Sequence, residues 1–221
     1  MKGILVTIDG PAGSGKSSVA RQVAARLGVV NLNTGAAYRA VALLALREGA
    51  DLSDGEGLAD LARRVGLDPE GASIDGRRVP DPELRTPEVA AAASRVSAHA
   101  GLREVLLSVQ RAAAEGAREH GGAVVEGRDI GTVVLPDAEL KVFLSADPEE
   151  RARRRARQTG REDELDRIKE AISRRDRQDS EREVSPLKPA PDAVVLDTTT
   201  LALEEVVSRV LDLARGLRRG A

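Results

Sequence analysis

At 221 residues the chain is one large domain or two small ones, long enough to bury a substantial core. Its formal net charge of −2 supplies no global basic field for nucleic acid, and the absence of cysteine excludes disulfides and thiolate metal sites and fits a reducing compartment. No apolar run approaches the length of a membrane span, and Ile4–Ile8 is too short for the apolar region of a signal peptide, so a cytoplasmic chain with no membrane partner is expected.

Aromatic residues make up 1% of the chain, so the core must be Leu, Val, Ile and Ala. The basic residues are mostly Arg, and Asn and Gln are scarce, which fits GC-rich coding and thermophily alike.

The first element is Ile4–Ile8, a short β-branched run that reads as a buried strand. Gly10, Pro11, Ala12, Gly13, Ser14, Gly15, Lys16 and Ser17 follow as GxxxxGKS, the phosphate-binding loop signature, with Ser18 next in line. Val19, Ala20, Val23, Ala24 and Leu27 then form the apolar stripe of a helix, which Gly28 stops. Strand, glycine loop and helix together aim backbone N–H groups and a helix N-terminus at phosphate oxygens. In that setting Lys16 is expected to reach the β- and γ-phosphates of a nucleotide, and the Ser17 hydroxyl to ligate Mg²⁺.

Val29–Leu32 reads as a second strand. Thr34-Gly35 leads into a helix carrying Tyr38, Val41, Ala42, Leu44 and Ala45, which ends near Gly49. Residues 51–100 differ in texture and read as an insert beside a parallel sheet. They hold turns at Asp51–Gly55 and Asp68–Gly71, a small hairpin over Ser73–Val79, interruptions at Asp81-Pro82 and Thr86-Pro87, and an Ala-rich helix over Val89–Ser97. Leu102–Ala117 is helical, Ala123–Val125 a third strand and Leu140–Leu144 a fourth. Asp147 is a helix N-cap with Pro148 at N1 and Glu150 at N3. The helix it opens carries Arg151, Arg153, Arg154, Arg155 and Arg157. A charged helix over 164–177, a fifth strand at Ala193–Leu196 and an amphipathic helix from Leu203 to Leu217 complete the chain.

Five short apolar strands alternating with helices imply an α/β fold with a five-stranded parallel sheet covered on both faces. Ligands in such sheets bind beyond the strands' carboxyl ends. The loop, Thr34, Glu126–Asp129 and Asp147 all follow strands directly, so they are expected on one rim. Arg39 and Arg128 each offer a bidentate fork there, which suits a second phosphorylated molecule better than two chance surface ion pairs. The arginine run 151–161 has three readings: a solvated face with pairs such as Glu150–Arg154, an RNA-binding stripe, or a lid over ATP. Missing aromatic partners weaken the RNA reading, and the nearby phosphate loop favours the lid. Arg174, Arg175, Arg177 and Arg182, with Asp176 and Asp179, form a second charged cluster. His99 and His120 stand alone without metal spacing and read as surface or packing residues.

Taken together, Ile8–Ser17, Thr34–Arg39, Arg85–Val89, Gly127–Val134, Arg174–Asp176, Ser185–Leu187 and Leu196–Thr198 resemble the bacterial cytidylate kinases of the nucleoside-monophosphate kinase superfamily. The stretch GRDIGTVV and the insert are the specific marks. The resemblance implies a kinase with a core (1–60, 101–147 and 178–221), an NMP-binding insert (about 61–100) and a lid (about 148–177). It implies that Thr34, Arg39 and Arg128 hold the CMP phosphate, with Tyr38 a further substrate residue. Ser94, Arg103 and Asp129 would read the cytosine edge, and Arg175 and Asp179 would contact the sugar, so dCMP would be accepted. Arg182, with Arg151, Arg154 and Arg157, would close on the transferring phosphate. Asn33 stands where the family usually has Asp, and Glu126 is a candidate for outer-shell Mg²⁺ contact.

The chemistry this implies is in-line transfer from ATP to CMP or dCMP. No long exposed apolar face stands out, so a monomer is the default expectation, and the net charge of −2 with few aromatics argues against a nucleic-acid partner. The acceptor phosphate oxygen is already anionic, so no general base is required. A kinase for UMP, AMP or a small metabolite is the nearest rival. A GTPase switch is disfavoured because no NKxD motif occurs.

Overall fold

The computed structural model describes residues 3–219, so the outermost residues of the expected core, 1–2 and 220–221, lie outside it. The chain divides into two compact units: one holds the described residues up to Asn31 and from Gly121 onward, the other Leu32–His120.

The first unit is organised by its sheet. Strands β1 (Ile4–Asp9), β2 (Val30–Asn33), β6 (Gly122–Glu126), β7 (Leu140–Ser145) and β8 (Val194–Asp197) lie in the order β2-β6-β1-β7-β8, a parallel sheet with helices on both faces. All five expected strands are therefore present. β1 pairs with β6 on one side and β7 on the other, with Ile8 opposite Glu126 and Asp9 opposite Phe143. The chain order reverses across β1, so the carboxyl end of β1 is the switch point where a ligand crevice opens. Helices α1 (Lys16–Leu27) and α9 (Leu203–Arg219) cover one face, packing Val19, Val23, Val207 and Val210 on Val6, Ile8, Val142 and Leu144. Gly28 ends α1 in the left-handed region, as its position predicts. Helices α7 (Pro148–Thr159) and α8 (Leu165–Glu181) form a pair around Ala152, Ala156, Ile168 and Ile172. Asp147 caps α7 by accepting from the Glu149 and Glu150 N–H groups, while Glu150 turns to pair with Arg154 instead of closing a capping box.

The second unit has its own core. It packs α2 (Gly35–Glu48) against α5 (Pro87–Val96), and α3 (Gly55–Ala62) against α6 (Ala100–Glu119), around Val41, Leu44, Leu58, Val96, Leu102 and Leu106. The expected hairpin is present as β4 (Gly71–Ile74) and β5 (Arg77–Arg78), turning at Asp75 and Gly76 with positive φ. It is one strand larger than expected, because β3 (Val65–Asp68) pairs with β4 through the Asp68–Gly71 turn. The two Pro interruptions prove to be helix starts. Pro82 and Pro87 stand in the first turns of α4 (Asp81–Leu84) and α5, and the Thr86 hydroxyl caps Val89 N–H at 3.2 Å.

Candidate active site

The phosphate loop bends through Gly10, Gly13 and Gly15, all at positive φ. At Gly10 the space is also closed: a Cβ there would lie 2.1 Å from the Leu144 carbonyl oxygen. Lys16 is folded back over the loop, donating to Pro11 O at 2.7 Å and to Ser14 Oγ at 3.5 Å. Burial and the neighbouring Arg128 guanidinium push its pKa well down, against the opposing pull of Glu126 and Asp9. Ser17, the second residue of α1, donates its hydroxyl to Glu126 Oε2 at 2.6 Å. Ser14 is buried and Ser18 is exposed.

A residue with no role in the sequence reading sits at the end of β1. Asp9 is buried, and its two oxygens accept from the Ile130 and Gly131 N–H groups at 2.9 and 2.8 Å. These are the first two residues of a single π-helical turn, Ile130–Val134, directly after Arg128 and Asp129. Asp9 therefore pins the turn that presents those two side chains. Burial raises its pKa from 3.8 to about 6, more than the two backbone donors lower it. Folding thus favours the protonated form, and the destabilising contribution grows as pH rises from 3.8 to about 6 and is constant above. We expect Asp9→Asn to remove this dependence. The stability difference between wild type and variant, measured by denaturant titration, shifts against wild type by up to ~3 kcal/mol across that window. A difference flat in pH would contradict it.

Behind the loop, three guanidinium groups converge on one buried carboxylate. Arg128 Nε donates to Asp179 Oδ2 at 2.8 Å, Arg182 Nη1 lies 3.6 Å from Oδ1 and Arg175 Nε 4.0 Å from Oδ2. Arg128 Nη1 also donates to Gly10 O at 2.7 Å, which ties the cluster to the loop. Arg182 Nη2 donates to Ser185 O at 3.0 Å. Burial would raise the Asp179 pKa, but the three arginines outweigh it and hold the carboxyl below its ordinary range.

Arg154 pairs with Glu150 and donates to Thr198 Oγ1 at 2.9 Å and Thr198 O at 2.5 Å. Thr198 is buried and accounts for the Leu196–Thr198 motif, since its hydroxyl reaches Ser145 O at 3.0 Å. Arg151 is buried against the loop, and Arg157 is exposed.

The second unit holds the rest of the expected substrate residues. Thr34 is the buried N-cap of α2. Arg39 Nη2 donates to Asn33 Oδ1 at 3.3 Å, which gives the Asn at this position a partner. Arg103, buried on α6, lies over the Tyr38 ring at 5.5 Å from its centroid and donates to Ser97 O at 3.3 Å. Ser94 is half-buried on α5, in the same unit as Arg103, while Asp129 is buried in the first unit. His99 hydrogen-bonds Leu52 O at 3.0 Å and serves packing, as expected. No group of three or more metal-ligating side chains occurs among the described residues.

A family model described as cytidylate kinase matches residues 6–216. A curated cytidylate kinase from Exiguobacterium sibiricum is 47% identical over 225 residues, spanning 98% of this chain and 99% of that protein. One from Geobacillus kaustophilus is 47% identical over 219 residues, spanning 95% and 96%. A bifunctional pantoate ligase/cytidylate kinase from Synechococcus sp. is 48% identical over 231 residues, which span 98% of this chain and 42% of that protein. Among solved structures, an uncharacterized protein from Eubacterium ventriosum aligns with a TM-score of 0.55 at 12% identity, covering 97% of this chain and 99% of that one, a likeness of fold alone. Agreement that runs from one end of the sequence to the other places the chain in the cytidylate kinase family.

Proposed function

We propose that the protein transfers the γ-phosphoryl group of ATP to CMP or dCMP, giving ADP and CDP or dCDP. The observation that carries this reading is the cluster of Arg128, Arg175 and Arg182 on Asp179, hydrogen-bonded to the carbonyl of the first glycine of an ATP-type phosphate loop. One unit thereby holds a donor-phosphate cradle and a separate set of guanidinium forks for an acceptor phosphate. Arg39 and Thr34, with Tyr38, are assigned to the same acceptor. Ser94, Arg103 and Asp129 are assigned to the cytosine edge, where an Arg–carboxylate set matches one carbonyl, one ring nitrogen and one amino group.

Catalysis is positioning plus electrostatics. Lys16, Arg128 and Arg182 neutralise charge on the transferring group, with Arg154 and Arg157 supporting it from α7. Arg175 and Asp179 are assigned to the sugar as well. The residues present fit Mg²⁺: a serine hydroxyl at the start of α1, with the Glu126 carboxylate at 2.6 Å as an outer-shell partner. When bound, the ion would neutralise the β- and γ-phosphate oxygens. The Asp9 oxygens are engaged by backbone donors, so Asp9 is not assigned to the ion.

We assign the chain a core (1–60, 101–147 and 178–221), an NMP-binding insert (about 61–100) and a lid (about 148–177). We further read it as a cytoplasmic monomer that acts on free nucleotides rather than nucleic acid or membrane. No helix of the described residues is long and apolar enough to cross a membrane.

The test is ADP release from ATP·Mg²⁺ with CMP, dCMP, UMP and AMP side by side. Strong turnover with CMP and dCMP, weak with UMP and none with AMP is the expected result. Activity with none of them overturns the reading. Asp129→Ala is expected to erode the preference for CMP over UMP by at least ~10-fold while the KM for ATP stays within about twofold. Equal loss for both nucleotides would remove Asp129 from base recognition.

A further inference from the structure

The Arg174–Asp176 motif contains a carboxylate that the reaction above does not use. Asp176 lies on α8 against the tip of the phosphate loop. Its Oδ1 accepts from the Ala12 N–H at 3.1 Å, and its Oδ2 accepts from Arg151 Nη1 in an ion pair. The same Arg151 nitrogen donates to the Ala12 carbonyl at 3.1 Å, and Arg151 Nε donates to Ala146 O at 3.0 Å. One peptide residue of the loop thus has its N–H and its C=O taken by an Arg–Asp pair drawn from two helices. The pair is shielded, with side-chain exposures of 8% and 16%. The contact continues at the next residue: a Cβ on Gly13 would lie 2.7 Å from the Arg151 carbonyl oxygen. Ala12 itself packs on the Ala152–Ile172 cluster of α7 and α8.

An exposed ion pair contributes little, but a shielded one that shares hydrogen bonds with backbone leaves several groups unmatched when either partner is lost. We propose that Arg151 and Asp176 are positioning residues for the phosphate donor. They hold the Ala12 peptide, so that the N–H groups of the residues after it keep their direction when a polyphosphate arrives. Neither side chain is assigned a nucleotide contact here; both act through the loop, on the reading that the loop holds ATP.

The experiment is steady-state kinetics, with calorimetric binding of ADP, on wild type, Asp176→Ala, Arg151→Ala and the double variant. Each single change is expected to raise the KM for ATP and the Kd for ADP about tenfold, while the KM for CMP stays within about twofold. The double variant should be no worse than the weaker single by more than about twofold, since the second deletion removes nothing further. Asp176→Asn should fall between, because its amide oxygen keeps one contact and its NH₂ group faces a donor in the other. Losses that multiply in the double variant overturn the proposal. So does a KM for CMP that rises in step with that for ATP, or a lowered melting temperature with ADP affinity unchanged. A wild type that binds ADP and transfers nothing to CMP overturns the reaction instead, and the ADP constants still decide the clamp.

Discussion

Lys16→Ala is expected to lower kcat by about 100- to 1,000-fold with the fold intact. The ammonium is the one loop side chain whose reach and charge match a β/γ-phosphate, and a single preorganised charge-stabilising donor is typically worth about 100- to 1,000-fold. Its contacts in the structure are to Pro11 O and Ser14 Oγ. Pro11 is half-exposed, so its carbonyl can be hydrated when the lysine is removed, and the cost in stability is small. The lysine carries its charge in an unfavourable place, buried and beside Arg128. An arriving phosphate relieves that strain, which is how a destabilised cation becomes useful in binding an anion. The measurement is kcat at saturating ATP and CMP, alongside a denaturant unfolding curve. A variant that keeps more than about a tenth of normal turnover removes Lys16 from this role.

Asp179→Ala is expected to damage both stability and activity. Removing this buried carboxylate takes from Arg128 the group its Nε donates to at 2.8 Å and from the cluster its shared negative charge, and breaking a buried pair in this way typically costs about 3–5 kcal/mol. The depressed pKa sets the pH dependence of this contribution. It is present above the ordinary carboxylate range and is lost as pH falls through the lowered folded-state value. Activity falls because the forks lose their common anchor, and misplacement of a catalytic group by about 1 Å can cost on the order of 100-fold. Asp179→Asn preserves shape without charge, so it should recover part of the stability and little of kcat/KM for CMP. Unfolding curves and kcat/KM settle the matter together. An alanine variant with wild-type values of both would make the carboxylate a bystander.

The parts of this molecule that were legible in the sequence are those whose causes are local. The five sheet strands announce themselves as short, largely apolar runs, and α1 by its stripe from Val19 to Leu27. The loop is legible because its glycines and lysine are spaced within eight residues. Three elements of the second unit escaped. β3 carries a glycine inside a four-residue strand, α3 begins at an Asp-Gly that reads as a turn until Asp54 is seen to cap Gly57 N–H, and α4 is a single short turn whose Pro82 reads as a break. In the site, what escaped is long-range. Asp9 reaches donors 121 and 122 residues away, and Asp176 reaches Ala12 across 164. An acidic residue at the end of an apolar strand does signal a carboxylate that must find donors, but not which ones. Arg154 joins the two kinds of signal: its pair with Glu150 is read from the helix spacing, while its contact with Thr198, 44 residues away, is not.

The hydrogen bond from Ser17 to Glu126 carries a consequence for what the serine can recognise. A hydroxyl owns one proton, and here the carboxylate has claimed it. The oxygen is left with lone pairs alone, so it can offer electron density and can no longer donate. A side chain that is ordinarily ambivalent has become a one-way acceptor, unable to satisfy a carbonyl or a phosphate oxygen but well suited to an electron-poor centre. Threonine would preserve that polarity. Alanine would erase it, and so would any residue that leaves Glu126 to find its proton elsewhere.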